Sequence, residues 1–132
     1  MFRILIVEDS HLFRKLLKET LQSQFPAIEI IEATDWKEAL QKIDSSNPTL
    51  VFMDIELREQ NGLELTKRIK AQYPQIIIII LTSHDLQEYR EAAYQNSADY
   101  FLSKGSATKA EILALVDSIL TDRRSLSDNR PI

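Results

Sequence analysis

Leu50-Val51-Phe52-Met53-Asp54-Ile55-Glu56 is a short apolar run that ends abruptly in a carboxylate. Four apolar residues followed by an acid read as a strand of a parallel sheet, covered on both faces and delivering one side chain to the sheet's carboxyl edge. In an open α/β sheet that edge is where ligands bind, at the point where the strand order reverses. Asp54 is therefore the candidate reacting group, and the rest of the chain is read for what surrounds it.

The same plan recurs on either side. Met1 to Val7 is a β-prone run ending in Glu8-Asp9, and Ile28 to Ala33 is a second strand. Ile76 to Leu81 is an unbroken aliphatic run ending in Thr82-Ser83, and Tyr100 to Leu102 is a short strand closed by Ser103-Lys104-Gly105. Helical periodicity fills the intervals. Leu12, Phe13, Leu16, Leu17 and Leu21 form one stripe behind a Ser10 cap and stop at Phe25-Pro26. Asp35 with Glu38 starts a second helix in the manner of a capping box, and Ser45-Ser46-Asn47-Pro48 ends it. Leu63, Leu65, Ile69 and Ala71 mark a third helix after the polar loop 58–62, where Gly62 is expected to supply a backbone conformation other residues resist. Asp85 is expected to open a fourth helix holding Tyr89, Ala92, Ala93 and Tyr94. Thr108 and Glu111 start a fifth, with Ile112, Leu115, Val116, Ile119 and Leu120 on one face.

Five βα units in strict alternation predict an α/β fold, a doubly wound five-stranded parallel sheet with helices on both faces. Alternation alone leaves the strand order open. The domain is expected over 1–121, with 122–132 as a flexible tail or the start of a linker.

Composition narrows the classes. A chain of 132 residues, 44% hydrophobic and 27% charged, suits one domain with a single core. A formal net charge of −4 lacks the basic footprint of a nucleic-acid binder. The absence of cysteine excludes disulfides, thiolate metal sites and thiol nucleophiles. The apolar start is too short for a signal peptide and no run reaches membrane-spanning length, so a cytoplasmic domain without membrane contact is expected.

Just past the strand ends stand Glu8 and Asp9, Asp54, Thr82 and Lys104. If strands one, three, four and five are neighbours, these side chains converge on one edge. Three carboxylates together repel and call for a cation. All-oxygen donors suit Mg²⁺, with Mn²⁺ as a substitute. Lys104 offers a compact positive charge to an anionic group and Thr82 a hydroxyl to hydrogen-bond it. The set predicts phosphoryl transfer onto a carboxylate, with Asp54 as nucleophile. Each residue also has a plainer reading: Asp54 as a loop acid, Glu8-Asp9 as acids favoured at a helix amino terminus, Thr82 as a strand-end hydroxyl, Lys104 as a surface lysine. His11 and His84 read as solvated loop residues.

In this order the five positions, with Gly62 in the loop after Asp54, resemble the receiver domain of two-component response regulators over roughly residues 2–121. The resemblance implies a flavodoxin-like (βα)5 fold with strand order 2-1-3-4-5. It implies Asp54 as phosphoacceptor, and Glu8, Asp9, Asp54 and the backbone carbonyl of Glu56 as metal ligands. Thr82 and Phe101 would be the switch residues and Lys104 the partner of the phosphoryl group. It further implies a signalling domain rather than an enzyme, whose phosphodonor is a sensor histidine kinase or a histidine phosphotransfer protein. Its output would be a downstream protein target or a homodimer, through the face of the fourth helix, fifth strand and fifth helix that carries Tyr89, Arg90, Phe101, Lys109 and Leu113. The chain would be a stand-alone receiver or a piece of a longer regulator.

There are departures. Arg58 stands where many receivers carry proline, which predicts a more mobile loop. Lys104-Gly105-Ser106 replaces Lys-Pro with its cis bond, as in the branch fused to helix-turn-helix domains. Ser83 replaces a smaller Ala or Gly, and Glu56 and His84 occupy positions that tune acyl-phosphate hydrolysis in the family. Two rival readings use the same residues. A haloacid-dehalogenase-type phosphatase also takes a strand-end Asp nucleophile and Mg²⁺, but wants a second Asp where this chain has Glu56. A degenerate receiver would bind its partner without phosphorylation.

Overall fold

The computed structural model describes residues 2–58 and 60–128, and of 124–128 the backbone alone. In chain order the elements are β1 (Arg3–Val7), α1 (His11–Gln24), β2 (Glu29–Ala33), α2 (Trp36–Ser46), β3 (Leu50–Met53), β4 (Glu56–Leu57), β5 (Gln60–Asn61), α3 (Gly62–Gln72), β6 (Ile77–Thr82), α4 (Gln87–Gln95), β7 (Tyr100–Ser103) and α5 (Lys109–Asp128). The main sheet runs β2-β1-β3-β6-β7, and every pair in it is parallel. With the small β4-β5 hairpin set aside, this is the expected order 2-1-3-4-5. Strand order reverses beside β1, between β1 and β3, which is where an open α/β sheet forms its crevice.

The sheet sorts its side chains with a period of two. Leu5, Val7, Val51, Met53, Ile78 and Ile80 face Ala39, Ile43, Leu65, Ile69 and Ala93 of α2, α3 and α4. Ile4, Ile6, Leu50, Phe52, Ile79 and Leu81 face Leu17, Leu21, Ile112, Val116 and Ile119 of α1 and α5. Helices on both faces explain why these strands read as unbroken apolar runs rather than as an alternation.

The helix stops follow the sequence. Phe25 and Tyr73 are C-caps, and each precedes a proline, which pushes the preceding residue out of the helical region. Asn47 closes α2 in the left-handed region (φ 46°) ahead of Pro48. Ser10 and Asp35 accept the amides of Phe13 and Glu38 as N-caps.

Four expectations need correction. Leu12 and Leu16 are 66% and 48% exposed, because the inward row of α1 is Phe13, Leu17 and Leu21 at spacings of four, and Leu12 and Leu16 form the adjacent row. Asp85 does not cap α4; Leu86 is the N-cap and makes no side-chain bond, while Asp85 accepts the hydroxyl of Ser103 at 3.1 Å. The polar loop after Asp54 contains the antiparallel β4-β5 pair. Finally, α5 does not fray at Thr121 but continues to Asp128. No glycine or proline stands between Thr108 and Pro131, so a helix once nucleated propagates, and Arg123 donates from its guanidinium to the carbonyl of Gln75. The rest of the expected tail, 129–132, lies outside the described residues. Among the described residues no helix is long and apolar enough to cross a membrane.

Candidate functional site

Parallel pairing brings the strand ends to one level. Val7 pairs with Met53 and Met53 with Ile80, so Glu8 and Asp54 emerge side by side. The ladder extends one residue past the strands: Asp54 N donates to Val7 O at 3.2 Å, Glu8 N to Ala33 O at 3.0 Å, and Lys104 N to Thr82 O at 2.8 Å. The candidate residues are thus held by main-chain bonds before their side chains make any contact.

Glu8, Asp9 and Asp54 offer carboxylate oxygens that all lie within 4.8 Å of one another. Glu8 and Asp54 are buried. Lys104 Nζ donates to Glu8 Oε1 at 2.5 Å and to Asp54 Oδ2 at 3.1 Å, and stands 4.1 Å above the Phe13 ring, an arrangement that adds a cation–π attraction. Ser10 N donates to Glu8 Oε2 at 3.0 Å. Glu56 N approaches Asp54 Oδ1 at 3.4 Å, and Arg58 N donates to Asp9 Oδ2 at 3.1 Å. Burial pushes Glu8 up to about 7, against the pull of Lys104 and the Ser10 amide. Burial pulls the Lys104 ammonium down, but the Glu8 and Asp54 carboxylates more than offset it and its pKa is raised. In the Glu8–Lys104 pair burial dominates at the carboxyl and the two carboxylates dominate at the ammonium. The donor set, three carboxylates crowded on one edge, has the chemistry that a hard divalent cation takes.

Gly62 serves this site in a different way from the one the sequence suggested. No described glycine has a positive φ. A Cβ on Gly62 would lie 1.9 Å from the carbonyl oxygen of Asp54, and Gly62 N donates to Ile55 O at 2.6 Å. The residue is small because the backbone of Asp54 and Ile55 passes against it. The left-handed residue of this loop is Arg58, at φ 54°.

The contacts of the switch candidates are with other groups than the carboxylates. Thr82 is fully buried, and its Oγ1 accepts the amide of His84 at 3.2 Å; among the described residues no hydrogen bond joins it to Asp54. Phe101 is buried in the α4 side of the core, with the Arg90 guanidinium 4.7 Å over its ring. It therefore underlies the face on which the sequence placed it rather than projecting from it.

Two contacts were not legible in the sequence. His84, read as a solvated loop residue, donates from Nε2 to Glu56 Oε2 at 2.7 Å, and its ring lies 5.2 Å from that of Tyr89. Asp85 is tied to Ser103, the residue before Lys104. Together they hold the loop after β6 to the β4 strand on one side and to β7 on the other.

Comparison with known proteins converges. The family model for the response regulator receiver domain matches residues 4–117. The transcriptional regulatory protein DegU of Brevibacillus brevis is 29% identical over 114 residues, covering 86% of this chain and 48% of that protein. A protein-glutamate methylesterase/protein-glutamine glutaminase of Koribacter versatilis is 36% identical over 120 residues, covering 85% of this chain and 32% of that protein. The chain thus spans from a third to a half of the length of these relatives. Among solved structures, a CheY-like response regulator receiver domain protein from Methanospirillum hungatei superposes with a TM-score of 0.85 at 25% identity, over 95% of this chain and 98% of that one.

Proposed function

The chain belongs to the response regulator receiver domain family, and from that premise we propose that it accepts a phosphoryl group on Asp54 and relays it as a change of shape. The observation that carries the reading is the convergence of carboxylate oxygens of Glu8, Asp9 and Asp54 within 4.8 Å of one another, with Lys104 bridging Glu8 and Asp54.

The donor is a phosphohistidine on a sensor histidine kinase or a histidine phosphotransfer protein. A carboxylate oxygen of Asp54 attacks phosphorus in line, the P–N bond breaks, and the imidazole leaves as it takes up a proton. Glu8, Asp9, Asp54 and the Glu56 backbone carbonyl are the residues that would hold Mg²⁺ or Mn²⁺. When bound, the ion supplies neutralising charge to the equatorial oxygens of the phosphoryl group. Lys104, already against Asp54, gives a second positive charge there, and Thr82 supplies the hydroxyl that moves onto the new phosphoryl group once it leaves the His84 amide. The chain is on this reading a cytoplasmic phosphoacceptor, not an enzyme in its own right, and the activities named for its longer relatives remain theirs.

The readout runs through α4. That helix buries Ala93 alone and has no side-chain N-cap bond, whereas α3 buries five residues. Few buried contacts mark the elements that move at low cost. Displacement of Thr82 takes away the bond to the His84 amide, one of the contacts that hold this loop, and α4, β7 and α5 then present a changed surface to a protein target or a second copy.

The test is phosphorylation by a small donor. Incubation with acetyl phosphate and Mg²⁺ is expected to add one phosphoryl group by intact mass, and Asp54→Ala to abolish it. An adduct that survives in Asp54→Ala overturns the assignment, and sustained turnover of phosphomonoesters would instead favour the phosphatase reading.

A further inference from the structure

Arg58 combines two features that no other described residue near the site shares. Its φ of 54° lies in the left-handed region, which is unfavourable for a residue with a Cβ and persists only where the surroundings over-determine it. Its N–H donates to Asp9 Oδ2 at 3.1 Å. The surroundings that impose the turn are visible. Leu57, the residue before it, is fully buried; β4 and β5 pair across it; Gln60 Oε1 accepts the amide of Trp36 at the start of α2; and Gly62 N closes the segment onto Ile55 O. Proline, which lacks an N–H and is confined to negative φ, fits neither feature.

A carboxylate has several acceptor positions, and one N–H on Oδ2 leaves Oδ1 free. Hydrogen bonds of this kind to a ligating carboxylate set its orientation and contribute to metal affinity. Resting on the cation site proposed above, we propose that Arg58 is a positioning residue: its main-chain N–H, aimed by the left-handed turn, orients Asp9 for a divalent cation and couples cation binding to the β4-β5 hairpin. The arginine side chain plays no part; the amide and the turn do. Cation binding that fixes Asp9 also fixes the hairpin, and through Gln60 it fixes the start of α2.

Mg²⁺ titration tests this, followed by calorimetry and by fluorescence of Trp36, the only tryptophan in the chain. Arg58→Pro is expected to weaken Mg²⁺ binding about tenfold, the lower range for loss of such a bond, while Arg58→Gly, which keeps the N–H and favours the turn, holds wild-type affinity or better. In an Asp9→Asn background the proline change should cost little, because the effect runs through Asp9; an equal loss in both backgrounds would mark a merely structural role and overturn the proposal. If Arg58→Pro does not fold, hydrogen exchange at the residue-58 amide decides in the wild type: Mg²⁺ should slow it, and unchanged or faster exchange overturns the proposal. A wild-type protein that binds no Mg²⁺ refutes the cation site itself, whereas normal binding with an unaffected Arg58→Pro refutes this inference alone.

Discussion

Replacing Gly62 by alanine should damage the protein for a reason its conformation does not reveal. The added Cβ would meet the Asp54 carbonyl oxygen at 1.9 Å, its carbonyl carbon at 2.9 Å and Ile55 Cα at 3.1 Å. The first contact must lengthen by at least 1.1 Å to reach 3.0 Å, below which real Cβ contacts are essentially never found. Every obstructing atom is backbone, so no rotamer relieves it. The Gly62 N–H to Ile55 O bond of 2.6 Å stretches with the same movement. Overpacking of this kind costs about 1–3 kcal/mol, and a strained buried hydrogen bond about 1 kcal/mol more. Alanine recovers up to ~1 kcal/mol as a better helix former in the first turn of α3. The net expectation is a loss of about 1–4 kcal/mol, read as a lower urea midpoint, and on the order of 10 °C in Tm for a domain of this size.

The displaced atom belongs to the peptide of Asp54, so the folded fraction should also react slowly with acetyl phosphate. Misplacement by about 1 Å is enough to cost up to ~100-fold. Asparagine separates the two explanations for the glycine. Asn tolerates positive φ, so a conformational requirement would leave Gly62→Asn milder than Gly62→Ala, whereas a steric one makes it no better. Gly62→Ala within about 0.5 kcal/mol of wild type, the scatter of neutral surface changes, would refute the reasoning.

Two further outcomes follow from the charged contacts. Burial raises the Glu8 carboxyl from its ordinary 4.5 to about 7, so between those values the folded state holds a proton that the unfolded chain releases; in the presence of a chelator, stability should fall as pH rises through that window and level off above it. Urea midpoints across the window should show this slope in the wild type and lose it in Glu8→Gln, and parallel profiles would show that Glu8 is not its source. The Glu56–His84 pair is 68% and 36% exposed, so breaking it with His84→Ala should cost at most ~1 kcal/mol of stability. The same pair ties the segment that follows Asp54 to the loop after β6, and its loss should shorten the lifetime of the proposed aspartyl-phosphate, by at most about fivefold if the whole ~1 kcal/mol appears in the barrier; a decay rate unchanged in both His84→Ala and Glu56→Gln would rule out a gating role.

What could be read from the sequence was what depends on period and on strand ends. The apolar runs at Ile4, Leu50 and Ile77 needed no partner information to be recognised as buried strands, and the residues after them converge because parallel registers align their ends. The resemblance supplied the strand order that alternation leaves open. What escaped depends on distance in space between residues far apart in the chain. Nothing at position 84 announces that its ring meets Glu56, 28 residues earlier, or that Asp85 bonds Ser103 rather than the start of α4. Gly62 is needed for clearance and not for a positive φ, and the two kinds of glycine look alike in a sequence until the neighbouring backbone is placed. Leu12 and Leu16 failed because a stripe five leucine-like residues wide is broader than the face α1 buries.

The charges of this edge are unequal in number. Glu8, Asp9 and Asp54 bring three potential negative charges and Lys104 one positive charge, leaving a deficit of two in a partly buried space. Glu8, the most enclosed of the three, answers by holding its proton up to about 7. On the proposed function a divalent cation would supply two positive charges at once and let Glu8 ionise, so that proton and metal would compete at this carboxylate. A phosphoryl group on Asp54 then adds negative charge where Lys104 already stands. On the proposed function the lysine is placed for the product more than for the resting carboxylates, and a divalent cation would be what balances the resting site.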